Sequence, residues 1–479
     1  MRKKVLSGMM GFVLAASLLA ACGGASGSGT TAAAAKAAAT TAAASKAATT
    51  QAAASTAKAA ATTKAAATTK AASSGSGATI KIAIWGDDAR KAKLQATLDP
   101  FCKANNCSVD IELVPIADFY DKLASQFGAG TAPDVFWMAD SKEATFIMNG
   151  WCANLKDAIS ADKDFDYSDF YPDAINSTNY GDGGVYGVPF SFGPRIILWN
   201  KTLFEKLGVK TPQQCMADGT WTYETMFDLA AKIHTADSSK IGVKLWQVGE
   251  TKNGVQAYAD IISANGAQLL DEGSTKFMLN SEAGIKTIKQ VYSAMYTTGG
   301  HAKPGDDTAF VSGNVGMARE AYSYMKKVVG GNVNFEWSVA PQPYGDKGKD
   351  GKIFTGYAYW FANGKGKNVD LSKKLIAFVA NKANQTAWAD TFLTPRNSVM
   401  SSSAITSPGK GYPDSSAISK AVVDAIKERG LFAYRGTAKF TQLQDAVTQG
   451  YEMIWSGAAD VEKGIKDMGT AVEPFLNKK

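Results

Sequence analysis

The chain has 479 residues, of which 45% are hydrophobic, 20% are charged and five are cysteines. Its formal net charge is +7, but residues 1–78 hold eight basic residues and no acidic one, which leaves 43 basic and 44 acidic residues in the remainder. The globular part is therefore close to neutral, and this excludes the strongly basic surface that nucleic-acid binding requires.

The first 22 residues have the pattern of an export signal. A short basic start, Met1–Lys4, precedes an apolar run, Met9–Ala21, that is too short to span a bilayer. The run ends in Leu19-Ala20-Ala21-Cys22-Gly23, where small residues precede a single cysteine. This ending resembles the lipobox of bacterial lipoproteins. It predicts a signal peptide over residues 1–21 and a diacylglycerol on Cys22, whose two acyl chains suffice for stable anchoring.

Residues 23–78 consist almost entirely of Ala, Thr, Lys, Ser and Gly, and they contain no aromatic residue. Such a segment has nothing to bury in a core, so residues 22–78 are predicted to be a lipidated cysteine followed by a disordered linker. As a flexible coil the linker would span roughly 40 Å. We expect it to tether the protein at the extracytoplasmic face of the cell membrane, on a Gram-positive type of cell surface rather than in a periplasm.

Strands alternate with helices from Thr79 onwards. Ile80–Trp85, the alternating stretch 109–113 and the apolar stretch Asp134–Met138 have the patterns of strands, with amphipathic helices between them. The first of these helices carries Leu94, Leu98 and Phe101 on one face. This alternation predicts a largely parallel sheet that is covered by helices on both faces. Ligands of such sheets collect at the carboxyl ends of the strands, which here are Trp85–Asp88 and Met138–Ser141.

Four cysteines lie in the globular part of the sequence. Cys102 and Cys107 flank a short turn and could form a local disulfide, which export would permit. Cys152 and Cys215 could pair or remain free. The chain has only two histidines, and neither is near a cysteine pair, so no metal site and no cofactor are predicted.

Seven stretches occur in the order that is typical of one family. They are Asp110–Pro115, Gly130–Phe136, Asp182–Phe190, Leu198–Val209, Thr220–Thr222, Phe310–Met317 and Trp455–Asp460. Together with the lipobox, the set resembles the extracellular solute-binding proteins of family 1. These are the sugar-binding lipoproteins of ABC importers, and they include maltose-binding protein.

The resemblance implies an α/β fold of the two-lobed, type II periplasmic-binding-protein kind, with an interlobe cleft and three hinge crossings. Lobe 1 would comprise residues 79–189 and 355–398, and lobe 2 would comprise residues 190–354 and 399–479. A monomeric protein of this kind is not an enzyme. It would capture a carbohydrate, in the first instance an oligosaccharide, by hinge closure and deliver it to an ABC permease in the membrane.

A sugar site needs planar polar groups beside flat aromatic rings. Candidates from strand ends and crossings are Trp85, Asp87, Asp88, Asp140, Phe192, Arg195, Trp246, Glu250 and Glu320, and the resemblance adds Tyr322, Gly356, Tyr357, Trp360 and Arg396. Each has a structural alternative. Asp87 could cap the following helix, Trp246 could belong to a core, and Arg396 could form a hinge ion pair.

Other interpretations remain open at this point. The same fold could bind a polyamine or another non-sugar solute, with carboxylates supplied by Asp87, Asp88, Asp140 and Glu320. A surface glycan-active enzyme would need paired carboxylates, but the sequence lacks a Gly-x-Ser-x-Gly elbow, a metal-binding His motif and a Cys–His signature. A surface adhesin would bind no small molecule at all.

Overall fold

The computed structural model describes residues 77–246, 254–389 and 391–478. The predicted signal peptide, Cys22, nearly all of the linker and the candidate Glu250 lie outside the described residues. Within the described ranges, the strands are β1 Ala78–Ile84, β2 Cys107–Leu113, β3 Val135–Ala139, β4 Gly187–Phe192, β5 Arg195–Asn200, β6 Ile241–Lys244, β7 Val315–Ala321, β8 Trp337–Ala340, β9 Ile353–Phe354, β10 Tyr357–Ala362 and β11 Leu431–Phe432.

The helices of the same ranges are α1 Asp88–Ala104, α2 Ile116–Gly128, α3 Glu143–Met148, α4 Lys156–Ala161, α5 Pro172–Ile175, α6 Lys201–Leu207, α7 Pro212–Ala217, α8 Tyr223–Ala236, α9 Ala259–Ala264, α10 Glu282–Tyr296, α11 Tyr324–Gly330, α12 Val369–Val379, α13 Lys382–Ala387, α14 Asn397–Met400, α15 Ser403–Thr406, α16 Ser415–Ile418, α17 Ala425–Arg429, α18 Phe440–Trp455 and α19 Val461–Val472. In this part of the chain, no helix is both long enough and apolar enough to cross a bilayer.

A five-stranded sheet in the order β2-β1-β3-β10-β4 forms the centre of what we call the first lobe. β1 pairs in parallel with β2 and β3, and β10 runs antiparallel to both β3 and β4. The sheet is therefore parallel except for β10, as the alternation of strands and helices predicts. Leu94, Leu98 and Phe101 are buried on one face of α1, at the spacing that the sequence analysis identified.

A four-stranded sheet in the order β6-β7-β5-β8 forms the centre of the second lobe. β6 and β7 are parallel, whereas β5 runs antiparallel to β7 and β8. Side chains of β5 alternate between two cores, with Ile196 and Leu198 in one and Ile197 and Trp199 in the other. A strand that is buried on both faces in this way needs apolar residues at consecutive positions, and β5 has them.

Two crossings between the sheets lie side by side. The first is Gly193–Pro194, between β4 and β5, and the second is Thr355–Gly356, between β9 and β10. The Gly193 amide lies 3.0 Å from the Gly356 carbonyl oxygen and 3.2 Å from Thr355 Oγ1. The sequence analysis ended the first segment of lobe 1 at residue 189. In the structure β4 continues to Phe192, so the first crossing comes a few residues later in the chain.

The four cysteines of the described part are free thiols. The disulfide suggested between Cys102 and Cys107 is not formed in the structure, although the two side chains are neighbours and their thiols hydrogen-bond. Burial, together with this contact, raises the pKa of Cys102 to about 12. The bridge between them stays a prediction.

One buried ion pair ties the second lobe to a crossing segment. Arg319 Nε of β7 lies 2.6 Å from Asp260 Oδ2 of α9, and both side chains are 1% exposed. The other oxygen, Asp260 Oδ1, accepts a hydrogen bond of 2.7 Å from the Phe354 amide of β9. Arg319 also donates to the carbonyl of Gln256. This desolvated ion pair thus joins β7, α9 and β9.

We expect Arg319→Ala to lower the free energy of unfolding by about 3–5 kcal/mol, because it leaves the Asp260 carboxylate buried without its cation. Urea denaturation would measure this loss. The matched control is Lys122→Ala, which breaks a salt bridge whose partners are 43% and 44% exposed. Solvent screens that pair, so its loss should cost less than about 1 kcal/mol. Equal losses in both variants would contradict the structural role of the buried pair.

Candidate functional site

A cavity of about 310 Å³ opens between the two lobes. From the first lobe it is lined by Asp140, Glu143, Pro172, Asp173, Asn176, Ser177 and Tyr359, and from the second by Gln268, Leu270, Asp271, Glu272, Lys352, Leu431, Phe432, Ala433, Tyr434 and Arg435. The first-lobe wall begins at the carboxyl end of β3, which is one of the two strand ends where the sequence analysis expects a ligand.

Asp140 joins this wall to the second crossing. Its Oδ2 accepts a hydrogen bond of 2.8 Å from the Tyr357 amide, and its own amide donates to the Tyr357 carbonyl at 3.1 Å. Burial raises the pKa of Asp140 to about 6, although the Tyr357 hydrogen bond and the nearby Arg195 charge act in the opposite direction. The carboxyl group is thus held in place by the hinge backbone and is easier to protonate than an ordinary aspartate.

Glu143, the first residue of α3, is more deeply buried and is 2% exposed. Its Oε1 accepts a hydrogen bond of 2.9 Å from the Tyr180 hydroxyl. Among the described residues, no group makes a hydrogen bond to Oε2. Burial, together with the charge of Asp140, raises the pKa of Glu143 to about 8. A substantial fraction of Glu143 is therefore protonated at neutral pH when the cavity is empty.

The second lobe touches this wall at Gly436. A Cβ at that position would lie 2.9 Å from the Asp140 carbonyl oxygen and 3.1 and 3.2 Å from the two carboxyl oxygens of Glu143. The absence of a side chain therefore permits the close approach of the two lobes here. Two further hydrogen bonds cross the same edge, Lys142 Nζ to Thr441 Oγ1 at 3.2 Å and Thr145 Oγ1 to the Ala438 carbonyl at 3.3 Å.

Aromatic rings complete the cavity. Phe432 is the last residue of β11 and Tyr434 follows it, and their ring centroids lie 5.6 Å apart. From the opposite lobe, the Tyr359 hydroxyl is hydrogen-bonded to Ser177 Oγ at 2.7 Å. The guanidinium carbon of Arg435 lies 5.0 Å from the centroid of the Tyr180 ring. Rings beside carboxylate, amide and hydroxyl groups suit a ligand that has apolar faces and a rim of hydroxyls.

Among the described candidate residues, Asp140 lines this cavity and most of the predicted aromatic residues do not. Phe192, Trp246, Tyr357 and Trp360 are buried core residues, at most 4% exposed. Trp85 is half-buried and packs edge-on against other rings of the first lobe. Core packing and ligand stacking both require large aromatic residues beside strand ends, so the contact of these residues with a ligand stays a prediction.

The charged candidates have structural roles of their own. Asp87 is the N-cap of α1 and accepts a hydrogen bond of 2.8 Å from the Arg90 amide, and Asp88 is the exposed first residue of that helix. Glu320 is fully buried in β7. Arg396 is also fully buried, and it donates to the Gln385 side chain and to the carbonyls of residues 165, 166 and 380. The described contacts of Arg396 are thus with the protein itself, and its contact with a ligand stays a prediction.

Two further candidates, Arg195 and Gly356, lie at the crossings, and a third, Tyr322, follows β7. Arg195 donates to the Gly193 carbonyl at 2.8 Å and influences Asp140 through its charge. A Cβ at Gly356 would lie 3.4 Å from Asp140 Oδ2, so the close backbone approach predicted there is present, toward Asp140. The Tyr322 hydroxyl donates to the Ile405 carbonyl at 2.7 Å. These residues position the site's surroundings, and their contact with a ligand stays a prediction.

Sequence reasoning missed most of the cavity wall. Glu143 lies only three positions beyond Asp140, and its proximity to a strand end was an available signal. Phe432, Tyr434 and Arg435 form a compact aromatic and basic stretch, but this stretch begins in a two-residue strand that is too short to recognise. Its pairing with β9, far away in the sequence, brings this stretch to the cleft.

Unfolding hydrates both buried carboxyl groups and returns each pKa to its ordinary value. The stability that comes from neutral Glu143 is fully present below pH 4.5 and is lost as the pH rises through about 8. The stability that comes from neutral Asp140 is fully present below pH 3.8 and is lost as the pH rises through about 6. We therefore expect the free energy of unfolding of the empty protein to fall across these windows, by at most about 1.4 kcal/mol per pH unit and group.

Urea denaturation over this pH range, in wild type and in Glu143→Gln, measures the effect. The amide side chain of this variant cannot ionise. Its free energy of unfolding should therefore no longer fall with pH above about pH 6. Glu336→Gln removes an exposed carboxyl group away from the cavity and should keep the wild-type slope. A Glu143→Gln variant with an unchanged slope would show that another group titrates.

Comparisons with known proteins agree with this geometry. The family model described as bacterial extracellular solute-binding protein matches residues 85–386, well over half of the chain. The galactooligosaccharide-binding protein of Bacillus subtilis is 25% identical over 333 residues, which cover 66% of this chain and 72% of that protein.

Two solved structures have the same fold. The ABC substrate-binding protein of Listeria monocytogenes in complex with cycloalternan has a TM-score of 0.67 at 18% identity, covering 83% of this chain and 98% of that one. The cyclic alpha-maltosyl-1,6-maltose binding protein from Arthrobacter globiformis has a TM-score of 0.68 at 18% identity, with the same coverage of both chains. The fold is thus the two-lobed, type II fold that the sequence predicts, and the chain belongs to the bacterial extracellular solute-binding proteins.

Proposed function

We propose that this protein captures a carbohydrate, most simply an oligosaccharide, in the cavity between its lobes and delivers it unaltered to an ABC importer. The cavity carries the proposal, because aromatic rings of Phe432 and Tyr359 face the same space as carboxyl, amide and hydroxyl groups. Its volume of about 310 Å³ is of the size of small-molecule sites. The relatives and structural neighbours named above are themselves described as binding oligosaccharides.

Capture would proceed by closure of the lobes around the solute. The lobes touch along the edge formed by Glu143, Lys142 and Thr145 against residues 436–441. Asp173 and Lys352 face each other across the cleft, with 3.8 Å between Oδ2 and Nζ. A solute that contacts both walls stabilises the closed form by its difference in affinity for the two forms. The paired crossings at Gly193 and Gly356 are the natural hinge for this movement.

Thermal shift with a panel of neutral oligosaccharides tests the proposal directly. A tightly bound sugar should raise the stability by about 2.7 kcal/mol at a hundredfold excess over its Kd. Calorimetry then gives the affinity, and chromatography of the recovered sugar shows whether it is intact. Turnover of the sugar, or the absence of any stabilisation by saccharides, would contradict the proposal.

Gly436→Ala tests whether binding requires the lobes to meet. An added methyl group would collide with the Asp140 carbonyl and the Glu143 carboxyl group, which should hold the lobes apart and weaken saccharide binding by about tenfold or more. Gly330→Ala is the control, because a Cβ there meets nothing within 4 Å. Unchanged affinity in Gly436→Ala would show that this contact does not belong to the ligand-bound form.

We further propose that Cys22 carries a lipid and that residues 23–78 tether the binding domain to the outer face of the cell membrane. The lipobox pattern supports this proposal. The full chain, expressed in a lipoprotein-exporting bacterium, should enter the detergent phase on phase separation, and Cys22→Ser should remain in the aqueous phase. Cys102→Ser controls for the loss of a thiol elsewhere. Equal partitioning of wild type and Cys22→Ser would contradict the anchor.

A further inference from the structure

The cavity has more acidic than basic groups in its wall. Five carboxyl groups line it, those of Asp140, Glu143, Asp173, Asp271 and Glu272, against the two cations Lys352 and Arg435. Both cations already face other partners. Lys352 lies opposite the Asp173 carboxylate, and the Arg435 guanidinium stacks over the Tyr180 ring. An acidic excess in a cleft attracts cationic molecules, although acidic groups on a surface often do no more than face solvent.

The unsatisfied oxygen of Glu143 is a second and independent observation. This side chain is 2% exposed and lines the cavity, and no described residue makes a hydrogen bond to its Oε2. A backbone hydrogen bond from Gly436 to the carboxyl group lowers the pKa of Glu143, but Oε2 itself has no hydrogen-bond partner among the described residues. Buried carboxylates are expected to be paired and hydrogen-bonded. The missing partner is therefore expected to come from the ligand.

We infer that the solute is an amino sugar, or an oligosaccharide that contains one, and this inference rests on the proposed function. The ammonium group of the sugar binds Glu143, with Asp140 beside it. An ammonium group supplies what this position lacks, a positive charge and N–H donors for Oε2. A metal ion is a poorer candidate, because the described residues hold no group of three or more potential ligands arranged for one.

The surroundings of Glu143 favour this pairing. The titratable and charged groups around it are Tyr120, Asp140, Lys142, Cys152, Tyr180, Tyr359 and Arg435. Lys142 is directed to Thr441 and to the Tyr120 ring, and Arg435 is directed to the Tyr180 ring. The remaining groups are acids or neutral hydroxyl and thiol groups. Within the described structure, no basic side chain of this set forms an ion pair with Glu143.

Binding of an ammonium group should also move a proton. Burial raises the pKa of Glu143 to about 8 in the empty cavity, so much of it is protonated at neutral pH. An adjacent positive charge favours the ionised carboxylate, so Glu143 should release its proton to the buffer as the already protonated amine binds. A neutral sugar would leave the proton on Glu143, whose O–H would then donate a hydrogen bond to a sugar hydroxyl.

The experiment compares neutral saccharides with their 2-amino-2-deoxy counterparts on the full chain at neutral pH. The pairs are glucose with glucosamine, galactose with galactosamine, and cellotriose with the β-1,4-linked glucosamine trimer. N-acetylglucosamine adds a substituent without the charge, and spermidine adds the charge without a sugar. Calorimetry in two buffers of different ionisation enthalpy gives both the affinity and the number of protons released.

We expect an amino sugar to bind about tenfold or more tightly than its neutral and N-acetylated counterparts, with release of a proton. Glu143→Gln should reduce the preference to less than about twofold and abolish the proton release. Glu336→Gln removes one negative charge outside the cavity and should leave both preference and proton release unchanged.

The other outcomes separate this inference from the proposed function. Neutral sugars that bind as tightly as their amino counterparts would overturn the inference and leave the proposed function intact. Spermidine binding that depends on Glu143, without binding of any saccharide, would support an ammonium site and overturn the carbohydrate proposal. An amino-sugar preference that persists in Glu143→Gln would assign the ammonium group to another carboxylate. Absence of binding by every compound would contradict both.

Discussion

Two neighbouring carboxyl groups at the contact between the lobes, those of half-buried Asp140 and buried Glu143, are the constraint on which the properties of this cleft depend. Asp140 and Glu143 lie at the point where the first lobe meets the second, and the charge of Asp140 raises the cost of ionising Glu143. Water is largely excluded from Glu143, so the group must be neutralised either by a proton or by a ligand. Whether a proton or a ligand neutralises Glu143 determines the protonation of the empty site, its affinity for a solute and the chemistry of the solute it binds.

The hinge explains why these carboxyl groups are held where they are. The carboxylate of Asp140 is fixed by the backbone of Tyr357, and Tyr357 directly follows the crossing that pairs with Gly193. A movement of the crossings therefore also moves the carboxylate of Asp140 in the cavity wall. Gly436 reaches the same point from the other lobe, and only glycine leaves room for it. The crossings, the Asp140 carboxylate and the lobe contact at Gly436 are thus physically connected. Closure of the lobes and contact with the ligand would therefore occur together.

The sequence predicted the parts of the fold that depend on local pattern. The spacing of Leu94, Leu98 and Phe101 predicted the buried face of α1, and the three apolar or alternating stretches predicted β1, β2 and β3. The order of family-like stretches predicted the two-lobed fold. Asp140 was identified because the carboxyl end of a parallel strand is a general place for ligands.

The rest of the site could not be predicted, because tertiary packing decides it. A buried Arg396 and a cleft-facing Arg435 differ in what surrounds them, and nothing in their local sequence reports that difference. The same holds for aromatic residues. Trp360 sits in the core of the first lobe, whereas Phe432 faces the cavity because β11 pairs with a strand that is distant in the sequence.

A crystal structure of the protein with an amino sugar bound is the most direct test of the central claim, which is that a solute is held unaltered between the lobes. We predict an intact sugar in the cavity, in contact with residues 172–177 on one side and residues 431–435 on the other, with its nitrogen within hydrogen-bond distance of Glu143 Oε2. A cleaved sugar, or an intact one bound outside this cavity, would contradict the claim.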